Sequence, residues 1–216
     1  MKKQVVLMVG LLIGTLLYVC STGIARTEVG PVTYELTNVD EHLLHVKMVI
    51  EEELEPEKMS IVPFYFSSAD EIANVKAYDL TENTELKAEV AKLMGHPGIK
   101  VYVSPILFPG RHFHYKYEDA FEKKKVVDVK LQVEADIKDR ASFYQEGDEL
   151  IFHRATGWKE AIVVLPQNYA VIYSNHPVLI RQKESNPSTI EVRISNPYKE
   201  GGLEIFIKAK KVWEAV

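Results

Sequence analysis

The chain has 216 residues, 46% of them hydrophobic, and a formal net charge of −5. This acidic balance excludes nucleic acid as an expected partner, because phosphate binding requires clustered lysine and arginine. Its only cysteine, Cys20, lies near the N-terminus, so the remainder can form no disulfide and offers no thiol chemistry.

The first 25 residues have the pattern of a signal peptide. Lys2 and Lys3 precede an uncharged apolar run, and the small residues Gly23 and Ala25 suit cleavage before Arg26. An uncleaved N-terminal anchor is the alternative, because the run approaches the length that spans a bilayer. We therefore expect an exported protein that is periplasmic, secreted or anchored at the outer face, with membrane contact only through this segment if it is retained.

From Val32 onward, apolar and polar residues alternate with a period of two, which is typical of β-strands. Turn-forming residues separate these runs at a spacing typical of a sandwich, such as an immunoglobulin-like one, or of a barrel. Pro63 indicates an edge strand or a bulge. The predicted runs, in chain order, are 42–50, 59–66, 75–80, 98–104, 112–118, 126–137, 149–154, 160–166, 169–175, 177–182, 189–195 and 202–212.

Residues 84–94 fit two patterns. Leu86, Val90, Leu93 and Met94 form a helical stripe, and Gly95 could end a helix. The segment is short, however, and lies between two predicted strands with the residues "GHPG" as a turn. We predict a strand here and keep one short helix as the alternative.

The sequence therefore predicts an all-β fold, a two-sheet antiparallel sandwich over residues 26–216. The charged stretch 118–128 is a candidate seam between two closely packed halves. Trp213 follows the alternation of the last strand and is predicted to pack in the core or at an edge.

The stretch "GRHFHYKYED" (110–119) is the best candidate for a metal site. His112 and His114 lie two apart, so they share one face of a strand and could hold a zinc ion together. Two histidines are too few for a zinc site, and Lys116 on the same face would oppose a cation. We therefore favour an ordinary strand whose Phe113, Tyr115 and Tyr117 point inward, and we expect no metal and no cofactor.

Catalytic motifs are absent from the sequence. It contains no His-Glu-x-x-His, no Gly-x-Ser-x-Gly and no phosphate-binding glycine loop. The aromatic residues near turns are candidates for a binding face, because flat rings bury area at low entropic cost. These candidates are Trp158, Tyr169, Tyr173 and His176; the alternative is that they cover the ends of the core.

Four segments carry a resemblance to a known family: "VDEHLLHVKMVIE" (39–51), "NVKAYDL" (74–80), "SPILFPGRHFHYKYE" (104–118) and "EAIVVLPQNYAVIYSNHPVLI" (160–180). Together they resemble the N-terminal saddle-shaped β-sandwich domain of the gluzincin aminopeptidases. The zinc ligands, catalytic glutamate and Gly-x-Met-Glu-Asn loop of that family have no counterpart here, so the resemblance implies the accessory fold alone.

The expected function is that of a non-catalytic binding or scaffolding module of the cell envelope. Its partner would be another envelope protein, a peptide or a glycan. The alternative is a hydrolase whose residues are dispersed over loops, or one built on a histidine-based metal site.

Overall fold

The structure is a computed structural model that describes residues 26–117, 123–198 and 201–212. The predicted signal segment 1–25 and Trp213 lie outside the described residues. Within the described part, no helix is long and apolar enough to cross a membrane.

The described chain is all-β, as predicted, with a single 3-10 turn at Pro105–Leu107. The strands are β1 (Arg26–Glu28), β2 (Val32–Asn38), β3 (Leu43–Leu54), β4 (Ser60–Tyr65), β5 (Glu71–Asp79), β6 (Thr84–Leu93), β7 (His96–Val103), β8 (His114–Tyr117), β9 (Lys123–Lys138), β10 (Phe143–Glu146), β11 (Glu149–Thr156), β12 (Glu160–Val164), β13 (Tyr169–Ser174), β14 (Val178–Lys183), β15 (Asn186–Ser195) and β16 (Leu203–Lys211).

The strands form two sheets of unequal size. The larger has twelve strands, ten of them in the order β14-β15-β12-β2-β3-β9-β5-β6-β7-β4, with β1 added on β3 and β8 on β9. The smaller has four, in the order β10-β11-β16-β13. The pairing is antiparallel except between β12 and β2, which run parallel. The predicted two-sheet sandwich is confirmed, with this one parallel pair as an addition.

The segment 84–94 is a strand, so the helical alternative is wrong. β6 pairs with β7 from Lys87 to Leu93, and the two-residue connection is Met94-Gly95, both with positive φ (51° and 87°). Two positive φ angles define the type I′ turn that matches the twist of a hairpin. The predicted turn residues "GHPG" are therefore mostly inside β7, which begins at His96.

The two sheets share one core. Alternate residues of β9, the long central strand, are buried, and they join the inward side chains of β11 and β16 in one hydrophobic cluster. Tyr34 of β2 meets Phe152 of β11 with ring centroids 5.4 Å apart. A buried ion pair, Arg154 Nη1 to Asp139 Oδ2 at 2.6 Å, also connects the small sheet to the end of β9.

The charged stretch 118–128, predicted as a seam between two halves, is described only in part. Residues 118–122 lie outside the described residues. Residues 123–128 form the first part of β9, which pairs with β8, β3 and β5 in turn.

Candidate functional site

The two terminal strands of the large sheet are built differently. In β4, Val62 and Phe64 point into the core and are each 2% exposed. In β14, Ile180 lies opposite the buried Val192, so it is on the core-facing side of the sheet, yet it is 47% exposed. We call β4 with β7 the closed end and β13, β14 and β15 the open end.

Apolar side chains accumulate at the open end. Leu179, on the other face of β14, and Ile172, at a bulge in β13, are also about half exposed. Behind them, several side chains are only partly buried against the core: Tyr169, Val171, Val178 and Ile190. The core is thus incompletely covered where the small sheet and the large sheet both terminate.

Two of the four predicted binding residues lie at the surface of this end. Tyr173 is exposed on the outer face of the small sheet, with its ring edge-on to Phe206 at 5.8 Å between centroids. His176 lies in the three-residue connection from β13 to β14, where its Nε2 is 2.9 Å from the carbonyl oxygen of Glu204. That contact holds the corner between the two sheets.

The other two predicted residues pack inward. Trp158 and Tyr169 are partly buried against the hydrophobic core. The indole nitrogen of Trp158 is buried and has no hydrogen-bond partner among the described residues. These two rings therefore cover core edges, and the structure does not bring them into one face with Tyr173.

Both faces of strand β8 are exposed, which differs from the prediction of one covered face. Tyr115 and Tyr117 are 55% and 66% exposed, so the prediction that these aromatics point inward is wrong. β8 pairs only with β9 among the described strands and projects from the sheet, so no layer covers its aromatic face. Lysines of β9 cover it instead: Lys123 Nζ is 3.9 Å from the Tyr115 ring centroid and Lys125 Nζ is 4.2 Å from that of Phe113.

The opposite face of β8 carries a cluster of ligand-type side chains. His114 Nε2 is 3.9 Å from Glu53 Oε1 of β3, and His114 Nδ1 is 3.7 Å from Asp128 Oδ2 of β9. One ligand atom from each residue lies within 4.8 Å of the others. Lys116, which shares this face, forms a close ion pair with Glu53 Oε2.

His112 lies beside this cluster rather than in it. It lines an open depression of about 430 Å³ together with Glu82, Arg111 and Asp128. The structure thus places both predicted histidines in one region, where Asp128 belongs to both the depression and the cluster.

Arg111 fixes the position of the chain just before β8. Its guanidinium donates to both oxygens of the fully buried Asp79 at 2.7 Å and to Glu82 at 2.9 Å. Burial alone would lower the pKa of Arg111, but hydrogen bonds to Glu82 and Asp79 outweigh it and raise that pKa. Nη2 makes both bonds to Asp79, Nε makes the bond to Glu82, and Nη1 donates to the backbone carbonyl of Asp128 at 3.1 Å. The charge-assisted bonds to the two carboxylates fix the position of Arg111.

Sequence reasoning missed Glu53 and Asp128. Glu53 belongs to the acidic run 51–57, which is typical of a solvated loop, and Asp128 lies 75 residues further along the chain. Only the β3–β9 register, which sets Glu53 directly opposite Asp128, brings them together.

The comparisons with known proteins find matches among solved structures only. No family model matches the chain, and no curated protein is significantly similar to it. A crystal structure of an aminopeptidase N family protein from Idiomarina loihiensis matches 82% of this chain at 12% identity, with a TM-score of 0.40. The chain spans 29% of that protein's length.

Proposed function

We propose that this protein is an exported binding or scaffolding module of the cell envelope that takes an extended segment of a protein partner along β14. The observation that carries the proposal is Ile180, a core-facing apolar side chain left 47% exposed on the terminal strand of the large sheet. An added strand would cover it and complete the sandwich.

The terminal position of β14 supplies the main-chain part of the interaction. A strand at the edge of a sheet presents unpaired N–H and C=O groups that can pair with another chain. β14 contains no proline, whereas the opposite terminal strand β4 carries Pro63, which cannot donate to an added strand. Strand addition gives affinity through these groups and specificity through alternate side chains.

The exposed side chains favour a polypeptide over a glycan. Ile172, Leu179 and Ile180 are aliphatic, and among the exposed large side chains of β13 and β14 only Tyr173 offers a flat ring for stacking on a sugar. Aliphatic side chains on both faces of β14 suit a strand whose own residues alternate between those faces.

Export is the second part of the proposal, and it has a direct measurement. We expect the chain isolated from the envelope fraction to begin at Arg26, or to retain residues 1–25 in the membrane if the segment is an anchor. Mass spectrometry of the intact chain distinguishes the two forms. A full-length chain found in the cytosol would contradict export.

Site-specific photocrosslinking tests the binding surface. A photoreactive amino acid replaces Leu179 in the full chain, expressed in its own host, and a matched variant carries it at Ile61 of β4. Ile61 is similarly exposed (52%), but it lies at the closed end. We expect a discrete, protease-sensitive adduct from position 179 and none from position 61.

A second substitution connects the adduct with strand addition. Ile180→Lys in the position-179 variant should abolish the adduct, because the charged group cannot be buried under an added strand. A synthetic peptide of the crosslinked partner segment should then bind the wild-type chain and not Ile180→Lys. Equal adducts from both positions, no adduct from position 179, or a protease-resistant adduct that contains sugar would contradict the proposal.

A further inference from the structure

The solvent-facing side of the β3–β9 pair carries a ladder of charged residues. His45 Nδ1 lies 2.8 Å from Asp136 Oδ1, and Lys47 Nζ lies 3.2 Å from Glu134 Oε1. Beyond the uncharged pair of Val49 and Gln132, Glu51 is directly opposite Lys130. Each of the three charged pairs sets a basic side chain against an acidic one, which is the arrangement that stabilises neighbouring strands.

The next pair in the ladder breaks this rule. Glu53 and Asp128 are directly opposite each other, so two carboxylates face one another where a like-charged pair is destabilising. His114 of β8 lies near both of these residues. At 3.9 Å and 3.7 Å, the ring nitrogens of His114 are too far from both carboxylates for hydrogen bonds.

From this arrangement we infer a binding site for a divalent transition-metal cation, zinc in the first place, formed by Glu53, His114 and Asp128. One imidazole nitrogen and two carboxylate oxygens are a ligand set that Zn²⁺ accepts, and the fourth position is open to water. A cation here removes the repulsion that the strand register imposes.

The geometry is close to what zinc requires. Ligand atoms held at about 2.0 to 2.2 Å from a tetrahedral zinc lie roughly 3.4 Å from each other. The three atoms here lie within 4.8 Å of one another. Glu53 and Asp128 face different nitrogens of the imidazole ring, so side chains must rotate to present one nitrogen and both carboxylates to a single cation. The side chains of His114 and Asp128 are 46% and 65% exposed, which leaves them room to do so.

Lys116 is the competing cation at this site. Its ammonium group pairs with Glu53 Oε2, while Glu53 Oε1 is the oxygen that faces His114. The two carboxylates and one ammonium leave a net charge of −1 before a metal binds. Lys116 therefore weakens the site without blocking it, and removing its charge should tighten metal binding.

A bound metal would hold β8 more firmly against the large sheet. Among the described strands, β8 pairs only with β9, over four residues. A metal held by Glu53 of β3, His114 of β8 and Asp128 of β9 ties this strand to the centre of the large sheet. We expect its amides to exchange more slowly when zinc is bound.

Zinc titration of the purified protein, by calorimetry and by competition with a chromophoric chelator, tests the site. We expect one equivalent of Zn²⁺ per chain and no binding of Ca²⁺, which prefers six or more oxygen ligands. His114→Ala and Asp128→Asn should each weaken zinc binding by about tenfold or more, and Lys116→Gln should strengthen it.

His153→Ala is the matched control. His153 is a similarly exposed strand histidine that lies 3.1 Å from a carboxylate, that of Glu204, on the small sheet. Its replacement should leave zinc binding unchanged, and circular dichroism should show all variants folded. Less than one equivalent of zinc, unchanged affinity in His114→Ala, or unchanged or weaker affinity in Lys116→Gln would overturn the inference.

Discussion

The two terminal strands of the large sheet, β4 at the closed end and β14 at the open end, differ in how their core-facing side chains are covered. Phe64 of β4 shares a buried cluster with Phe66 and Ala69 of the connection that follows it. Ile180 of β14 has no such cover, because the chain turns directly from β14 into β15. A short hairpin thus leaves a terminal strand exposed, whereas a longer connection can fold back over the core.

The largest expected difference between the ends is the cost of truncating one core-facing residue. Phe64→Ala should lower the free energy of unfolding by about 3 to 5 kcal/mol, because it removes a buried ring and leaves a cavity. Ile180→Ala should cost about 1 kcal/mol or less, because half of that side chain is already in water. Urea unfolding of both variants measures this, and equal losses would mean that the two ends are covered alike.

A smaller loss is expected from adding one methyl group at the closed end. A Cβ on Gly98 of β7 would lie 2.5 Å from Leu93 Cδ1 and 2.6 Å from the carbonyl oxygen of Phe64. Gly98→Ala should therefore destabilise the protein by about 1 to 3 kcal/mol through overpacking. Val90→Ala, at an exposed position of the same hairpin, should change stability by no more than about 0.5 kcal/mol. A harmless Gly98→Ala would show that the closed end is loosely packed.

Local opening should also distinguish the two ends. Amides of β14 that are paired with β15 should exchange with solvent about tenfold faster, or more, than those of β4 paired with β7, because fewer apolar contacts oppose their opening. Hydrogen exchange followed by mass spectrometry or NMR measures the difference. Binding of the partner segment along β14 should remove this difference in exchange rate. Equal exchange rates in the free protein would show that β14 is already as stable as β4.

The smallest expected change in the free energy of unfolding comes from Asp136, in β9 between the two ends. Partial burial raises its pKa, but hydrogen bonds from Asn74 and His45 outweigh burial and leave the pKa below its usual value. The ionised Asp136 therefore stabilises the folded state above the unfolded-state pKa of about 3.9. This stabilisation is lost as pH falls through the lower folded-state pKa. Asp136→Asn should make stability less dependent on pH below about 4, as measured by urea unfolding at several pH values. An unchanged acid dependence would contradict this role.

Much of the fold could be predicted because alternation is a local property. The runs along β9 and β16 alternate as expected, and β6 is a strand although Leu86, Val90 and Leu93 also fit a helix. Pairing with β7 decides that ambiguity, since a short segment with two possible periods takes the one that its neighbours can bond. Pro63 also correctly indicated an edge strand.

The candidate site was less predictable. Alternation correctly separated the face of Phe113 and Tyr115 from that of His114, but it could not tell which face the protein covers. β8 lies on the rim of the sheet, so its aromatic face meets lysines of β9 rather than a second layer.

The sequence by itself determined that this chain is built of strands and which side chains share a face, because both follow from a two-residue period. Only the tertiary structure decided that Glu53 faces Asp128, that His114 reaches both, and that Ile180 remains uncovered. Those facts depend on strand order and register, which connect residues far apart in the chain, and no local pattern records them.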